Sequence, residues 1–380
     1  MRIVILTSGQ RGIASYCLNL YKHMLSKKHD VLMVTEAQWK KESVEFLVQA
    51  RSTSVLGLAP LVHNPMELLK KIREFRPDII HYHWPSGTFD FLFGSVRKIG
   101  APILVTLHVA VGSHHNVLDK VWYCHFTMLK LHLNKIAGVN CISKFILKQV
   151  QKRTKLPASK VFLKYAGIDE SVFCPEPRTE NDTLNLLFVG QIMPEKGIDV
   201  LVKAVRRVAQ KRKVVLSIVG SGHLKPLLIR ATKEDACIRW IGFVKGQKEI
   251  ASHYAQADLT VLPTRWDEAF SLVPVESLSC GTPVMATNKG GTPEIIIPGK
   301  TGYLLKECDE EEIYQALMSL DKKELESLRP TSRDAVLKNY SLAAMGESHE
   351  KLYEKLIQTA KTEATLSPES RCLTGSKRLP

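Results

Sequence analysis

Short runs of β-branched and aliphatic residues alternate with amphipathic stretches along almost the whole chain, and that rhythm restricts it to few architectures. In the first half the strand-like runs are 3–6, 31–34, 79–81, 103–107, 139–142 and 161–164, with helix-like stretches at 13–25, 66–75 and 117–133. The second half repeats the pattern. Strand-like runs at 184–189, 214–219, 238–241, 259–262, 284–286 and 303–305 are separated by helix-like stretches at 200–210, 224–231, 249–255 and 272–279. Two further helical stretches, 309–320 and 345–358, close the pattern. Parallel strands need a crossover of helix length, so the alternation predicts βαβ units. The expected fold class is α/β, with two Rossmann-like, doubly wound parallel-sheet domains facing a central cleft. Ligands bind outside the carboxyl ends of such strands.

A length of 380 residues suits two domains. The segment Cys174-Pro175-Glu176-Pro177-Arg178-Thr179-Glu180-Asn181-Asp182 is rich in proline and polar residues, as a linker would be. The expected division is an N-terminal domain over 1–174, a linker over 175–183 and a C-terminal domain over 184–340. A C-terminal helix over 341–359 is expected to pack back toward the N-terminal domain, and 360–380 is expected to be a disordered tail.

Charge divides the chain unevenly. Residues 1–175 hold 24 Lys/Arg against 11 Asp/Glu, whereas residues 176–380 hold 29 against 27. A basic first half beside a near-neutral second half points to an anionic partner for the first. No nucleic-acid module is recognisable, so an anionic membrane face is the favoured partner and nucleic acid is not. A solvated, solubilising face is the alternative reading of the same charge. No apolar run is long enough to span a bilayer. Residues 3–6 read as a first strand rather than a signal segment. The eight cysteines are scattered without a CxxC pair. That usage suggests a reducing, cytoplasmic setting without zinc or disulfides.

The chemistry concentrates at a loop-to-helix junction, Glu268-Ala269-Phe270-Ser271-Leu272-Val273-Pro274-Val275-Glu276. Ser271 is the expected N-cap, its hydroxyl satisfying an orphan N–H. Pro274 sits in the first turn, where it loses no intrahelical bond, and Gly281 suits the left-handed stop. The helix then presents N–H groups and about half a positive charge to a pyrophosphate. Glu268 and Glu276 flank that anion and are able to accept hydrogen bonds from sugar and ribose hydroxyls. In isolation, two solvated glutamates beside a core helix would look the same.

Other candidates sit after strands. Gly190-Gln191-Ile192-Met193-Pro194-Glu195-Lys196-Gly197 combines a sharp turn at Gly190 with a point charge at Lys196 suited to a phosphate. Ser8-Gly9-Gln10-Arg11-Gly12-Ile13 is a small glycine-containing turn that opens a helix. His108 ends a strand, where it can hydrogen-bond a sugar hydroxyl or handle a proton near neutral pH. His81, His83 and Trp84 end another strand and are the candidates to line an acceptor pocket. Two histidines imply no metal.

The order of these motifs resembles the glycosyltransferases of family 4, with the GT-B fold. The resemblance runs from Phe188 to Leu305 through Gly190, Glu195-Lys196-Gly197, Val219-Gly220-Ser221-Gly222, Gly242-Phe243-Val244, Glu268 and Glu276, Cys280-Gly281-Thr282-Pro283 and Gly290-Gly291-Thr292-Pro293-Glu294. It is looser in the first half, through Gly12, His108 and Ala166-Gly167-Ile168-Asp169. It implies retaining transfer of a hexosyl unit from a nucleotide diphosphate sugar, of UDP or GDP type, without metal or other cofactor. The implied acceptor is a glycan or lipid-linked glycan in cell-envelope or exopolysaccharide assembly, on the inner face of the membrane.

By the same resemblance, Glu268 holds the donor sugar, Glu276 the ribose, and main chain at Val244 the base. N–H groups near Ser271, Leu272 and Val273 meet the diphosphate, as does Lys196, with Gly12 near it; Gly190, Gln191 and Phe270 complete the donor-binding set. Lys196, Glu268 and His108 form the catalytic set, with His108 beside the transferred sugar. The family commonly has arginine at the position of Gln191, so one expected cation is missing, and Lys196, Arg265 or Arg11 is left to supply it. Ala166 stands where asparagine is common. A nucleotide-sugar epimerase, a sugar phosphorylase of the same fold, or a non-catalytic nucleotide-sugar-binding partner are the competing readings.

Overall fold

A computed structural model of the protein describes residues 1–8, 11–35, 47–49, 52–55, 58–62, 64–85, 89–110, 126, 127, 129–178 and 181–366. Two compact units emerge. The first comprises Met1–Ile142, Ile146–Lys164 and the segment from Met345 onward; the second comprises Ser143–Phe145 and Tyr165–Ala344.

The first unit carries strands β1 (Arg2–Thr7), β2 (Asp30–Thr35), β3 (Leu47–Gln49), β4 (Ser52–Val55), β5 (Leu58–Val62), β6 (Ile79–Trp84), β7 (Ile103–Leu107), β8 (Gly138–Cys141) and β9 (Val161–Leu163). Seven of them form a parallel sheet in the order β3-β2-β1-β6-β7-β8-β9, and β4 and β5 make a separate antiparallel pair. All six residues of β6 are buried, as expected of a central parallel strand covered on both faces. The second unit holds β10 (Leu184–Val189), β11 (Val214–Val219), β12 (Ile238–Gly242), β13 (Leu259–Leu262), β14 (Val284–Thr287) and β15 (Gly302–Leu305). They form a parallel sheet in the order β12-β11-β10-β13-β14-β15. Strand order reverses between β1 and β6 in the first sheet and between β10 and β13 in the second. Such switch points open crevices at the carboxyl ends of the strands.

The expected strands and most expected helices are present within a few residues. The helix expected over 117–133 lies largely outside the described residues, which include a 3₁₀ turn at Leu133–Lys135. Helices Phe89–Arg97, Lys144–Arg153, Lys322–Ser327 and Arg329–Asn339 were not foreseen. The last helix runs Leu342–Leu366, so residues 360–366, expected to be unstructured, continue it. The remainder of the expected tail lies outside the described residues.

The unit boundary falls at Lys164 rather than at Cys174. The physical reason is burial. Ile168 and Phe173 join the apolar core of the second unit, and Ile168 bridges Ser341. Arg333 donates to the carbonyls of Phe173 at 2.6 Å and Glu170 at 2.9 Å. The expected linker is fastened to the same unit. Arg178 pairs with Asp258 and, at 2.8 Å, with Glu326. Lys322 donates to the carbonyls of Asn181 and Thr183 at 2.8 Å.

One glycine sets how closely two strands of the second sheet approach. Gly302 has φ +153°, and a Cβ there would lie 1.8 Å from the Val284 carbonyl oxygen. Because both the dihedral and the space are wrong for alanine, Gly302→Ala should cost about 2–4 kcal/mol. Urea unfolding would register this as a lower midpoint at unchanged slope, and an unchanged midpoint would contradict the close approach.

Candidate active site

The switch point of the second sheet brings together the loops that follow β10 and β13. After β10 the chain turns at Gly190, whose N–H donates to Val219 O at 3.0 Å. Gly220 and Gly222 allow their own loop to close on this one: a Cβ on Gly220 would lie 1.9 Å from Gly190 O, and one on Gly222 2.3 Å from Ile192 O. A 3₁₀ turn, Pro194–Lys196, then ends at Gly197 in the left-handed conformation, φ +68°. There a Cβ would meet Pro263 O at 2.0 Å. The loop after β13 pairs back onto this turn through Arg265 N–H to Glu195 O at 2.8 Å.

Between these loops Lys196 and Glu268 form an ion pair, both side chains about one-fifth exposed or less. The Trp266 indole N–H donates to the same carboxylate oxygen, Oε1, at 2.9 Å, and Lys196 Nζ lies 5.0 Å from the Trp266 ring centre. Glu268 Oε2 has no hydrogen-bond partner among the described residues. Gly290 and Gly291 back the Glu268 loop. Gly291 N–H donates to Glu268 O at 2.7 Å, and a Cβ on Gly290 would lie 2.2 Å from that oxygen.

Helix Leu272–Ser279 starts where expected, with Ser271 extended at φ −93°, ψ 128°. The Ser271 side chain, however, makes no capping hydrogen bond, which corrects the expectation that it satisfies an orphan donor. The N–H groups of Ser271, Leu272 and Val273 therefore have no acceptor among the described residues, and Pro274 has none to offer. The helix ends as expected. Gly281, at φ +79°, donates to Leu278 O at 3.0 Å, and Thr282 N–H to Ser277 O at 2.9 Å. Arg333 reaches the same end through Ser279 O at 2.8 Å.

Glu276 lies in the second turn of this helix. Tyr254 O–H donates to its Oε2 at 2.9 Å, while Oε1 has no partner among the described residues. Burial pushes its carboxyl up to about 7, against a smaller opposing effect of the tyrosine. Phe270 turns its ring toward Tyr165 and Tyr340, with centroids 5.9 and 5.8 Å away. Val244 is buried, and the main chain of 243–245 makes no hydrogen bond to described residues.

Arg265 is already committed elsewhere. Arg265 is held by a bidentate pair with Asp199 at 3.0 and 2.8 Å. Arg11 begins helix Arg11–Ser26, but its side chain lies outside the described residues. The Gln191 carbonyl accepts from Met193 N–H at 3.1 Å, and its side-chain amide has no partner among the described residues. Gly12 is exposed in the first turn of helix Arg11–Ser26; Gly9 and Gln10 lie outside the described residues.

In the first unit, His81, His83 and Trp84 are at most 1% exposed. This corrects the expectation that they line an acceptor pocket. They belong to a strand buried on both faces. His108 is partly exposed. Its Nε2 meets His83 Nδ1 at 2.8 Å, and its N–H donates to Trp84 O at 3.0 Å. Burial, with His349 nearby, pushes its imidazole down to about 3. A neutral ring suits hydrogen bonding to a hydroxyl. It does not suit the proton handling near neutral pH that the sequence suggested. Tyr254, Trp266 and Arg333 escaped the sequence reading. The lone tryptophan two residues before Glu268 was the available signal, and the other two are distant in the chain.

Two family descriptions match. "Glycosyl transferases group 1" covers residues 175–339 and "Glycosyltransferase Family 4" covers residues 10–172. An uncharacterised glycosyltransferase of Methanocaldococcus jannaschii is 30% identical over 320 residues, spanning 75% of this chain and 78% of that one. The chain belongs to the family 4-like glycosyltransferases. Among solved structures, this glycosyltransferase resembles one from Rickettsia africae ESF-5, with TM-score 0.75, 17% identity, and coverage of 94% of this chain and 98% of that one. It also resembles Anabaena HepE in complex with UDP-glucose, with TM-score 0.74, 17% identity, and coverage of 93% and 100%. These likenesses establish the GT-B fold.

The raised Glu276 carboxyl has a stability consequence with a definite sign. Between about pH 4.5 and 7 the folded state holds a proton that the unfolded state has released. Ionisation therefore opposes folding increasingly as pH rises through this window, and fully above it. Glu276→Gln should accordingly melt close to the unsubstituted protein at pH 4 and several degrees higher at pH 8. Ligand-free melting curves across that range provide the check. A difference that does not grow with pH contradicts the assignment.

Proposed function

We propose that this glycosyltransferase is a retaining, metal-independent enzyme that moves a hexosyl unit from a nucleotide diphosphate sugar to a glycan or lipid-linked glycan. The observation that carries the reading is the convergence in the second unit of unpaired helix N–H groups, Lys196, and two carboxylates, each with one open oxygen. Leaving-group charge is stabilised by donors and cations already aimed at it. Three free N–H groups with the helix macrodipole, and the Lys196 ammonium, suit a diphosphate. Glu268 Oε2 suits the donor sugar's hydroxyls and Glu276 Oε1 the ribose. The unpaired main chain at Val244 suits a base edge. HepE, named in complex with UDP-glucose, makes UDP the first nucleotide to try.

His108 takes the role of hydrogen-bonding the transferred sugar. With its imidazole pushed down to about 3, it is too weak a base to accept a proton at neutral pH. That supports the leaving phosphate as acceptor of the incoming hydroxyl's proton. The basic first unit is assigned to the acceptor and to an anionic membrane face. On the part of helix Lys144–Arg153 that belongs to this unit and just beyond it, Lys148, Lys152 and Lys155 are exposed. None has a carboxylate within 4.0 Å among the described residues. Each basic residue near an anionic surface contributes about 1 kcal/mol.

The donor is found by thermal shift against UDP- and GDP-sugars, since a ligand preferred by the native state raises the melting point. With that donor, Lys196→Ala and Glu268→Ala should each lower kcat by about a hundredfold or more while the variants stay folded. Rates within a few-fold of the unsubstituted enzyme would reject the roles of both residues.

A further inference from the structure

Three elements of the first unit bring neutral side chains around His108. His83 on β6 meets His108 Nε2 through its Nδ1 at 2.8 Å, and the two rings stack at 5.1 Å, 29° apart. Tyr16, from helix Arg11–Ser26, meets both edge to face, at 87° and 4.9 Å from His108 and at 66° and 5.3 Å from His83. Tyr16 is fixed in turn by the C-terminal helix, where its O–H meets His349 Nε2 at 2.7 Å.

The polarity of that last bond follows from its far side. His349 Nδ1 lies 2.8 Å from the Met345 carbonyl. A carbonyl only accepts, so Nδ1 carries the hydrogen, Nε2 is the lone pair, and Tyr16 donates. His81 continues the layer, with Nδ1 2.5 Å from Tyr353 O–H and Nε2 2.6 Å from Thr106 Oγ1. Burial pushes His349 down to about 4 and His81 and His83 well below the usual histidine range. The layer is thus uncharged at physiological pH and is held by short hydrogen bonds. In His108, Nε2 is taken by His83, and Nδ1 has no partner among the described residues.

We propose that His83, with Tyr16 and its anchor His349, forms a positioning shell that holds the His108 ring in one orientation and one tautomer, leaving Nδ1 for a hydroxyl of the transferred sugar. None of the three touches the sugar. They act through His108, and the C-terminal helix thereby contributes to a site far from it in sequence. The inference rests on the reading that His108 contacts the transferred sugar, but the orientation of the ring is measurable without any substrate.

The first experiment is ¹⁵N NMR of histidine-labelled, ligand-free protein. The unsubstituted protein should show His108 as a single tautomer. His83→Leu should give averaged Nδ1 and Nε2 shifts. His83→Asn, whose amide lies where Nδ1 was, should restore the single tautomer. An averaged His108 in the unsubstituted protein, or an unaltered one in the Leu variant, overturns the proposal, and the first of these is decisive even if the Leu variant does not fold. With UDP-glucose as probe and UDP release as readout, kcat should fall about tenfold or more in His83→Leu, with KM within about twofold, and recover in His83→Asn. A His108→Ala variant that keeps full kcat would sink the parent reading of His108, while the NMR contrast still decides whether His83 orients the ring.

Discussion

The structure of the second unit depends on the reversal of strand order between β10 and β13. A right-handed crossover to either side of β10 leaves the loops after these two strands adjacent at the carboxyl edge of the sheet. Lys196 and Glu268, 72 residues apart in the chain, meet because of that reversal. The rest of the local structure keeps the two loops from drifting. Gly220 and Gly222 admit their loop against residues 190–192, and Gly197 admits Pro263 within 2.0 Å of where a side chain would begin. Each of these glycines costs more backbone entropy on folding than another residue would, and in exchange backbone packs on backbone.

Much of this was legible beforehand. Two-residue and 3.6-residue periodicities are local, so strands and helices could be read from the chain alone. Helix Leu272–Ser279 was located to the residue because proline in the first turn and glycine after the last are themselves consequences of helix geometry. What stayed hidden were interactions between distant residues. The Tyr254–Glu276 hydrogen bond, Arg265's engagement by Asp199, and the Gly290-Gly291 support beneath Glu268 leave no local trace. The unit boundary was misread for a related reason. Prolines and polar residues at 175–183 look like a linker, but Arg178 and Lys322 bind them to the second unit by contacts spanning 80 residues or more.

The histidines illustrate the limits of reading chemistry from residue type. Clustered histidines at strand ends suggest a proton-handling site or an acceptor pocket. Here His81, His83 and His349 are buried, and desolvation disfavours their charged forms. Strand β6 alternates His81 and His83 on one face with Ile80, Tyr82 and Trp84 on the other. One face thus supplies a polar, hydrogen-bonded layer inside the unit. Buried hydrogen bonds of this kind favour one arrangement, because breaking them leaves polar groups unmet away from water. That property is useful next to a residue whose ring must point one way.

Charge at the proposed diphosphate site follows from what the neighbouring residues already do. Gln191 is neutral, and Arg265 is committed to Asp199. Lys196 and the start of helix Leu272–Ser279 therefore carry a correspondingly larger share of the compensation. Lys196 is already paired with Glu268 and lies beside the Trp266 ring, so an arriving diphosphate meets an ammonium that is partly neutralised but also held in place. Holding a flexible four-carbon side chain removes entropy that ligand binding would otherwise have to remove. The same pairing holds Glu268 through Oε1 and leaves Oε2 without a partner among the described residues. In the proposed binding mode the ion pair would order the donor's two ends together: phosphate at the lysine, sugar at the carboxylate. A site missing one cation can still be preorganised in this way, with geometry compensating for part of the absent charge.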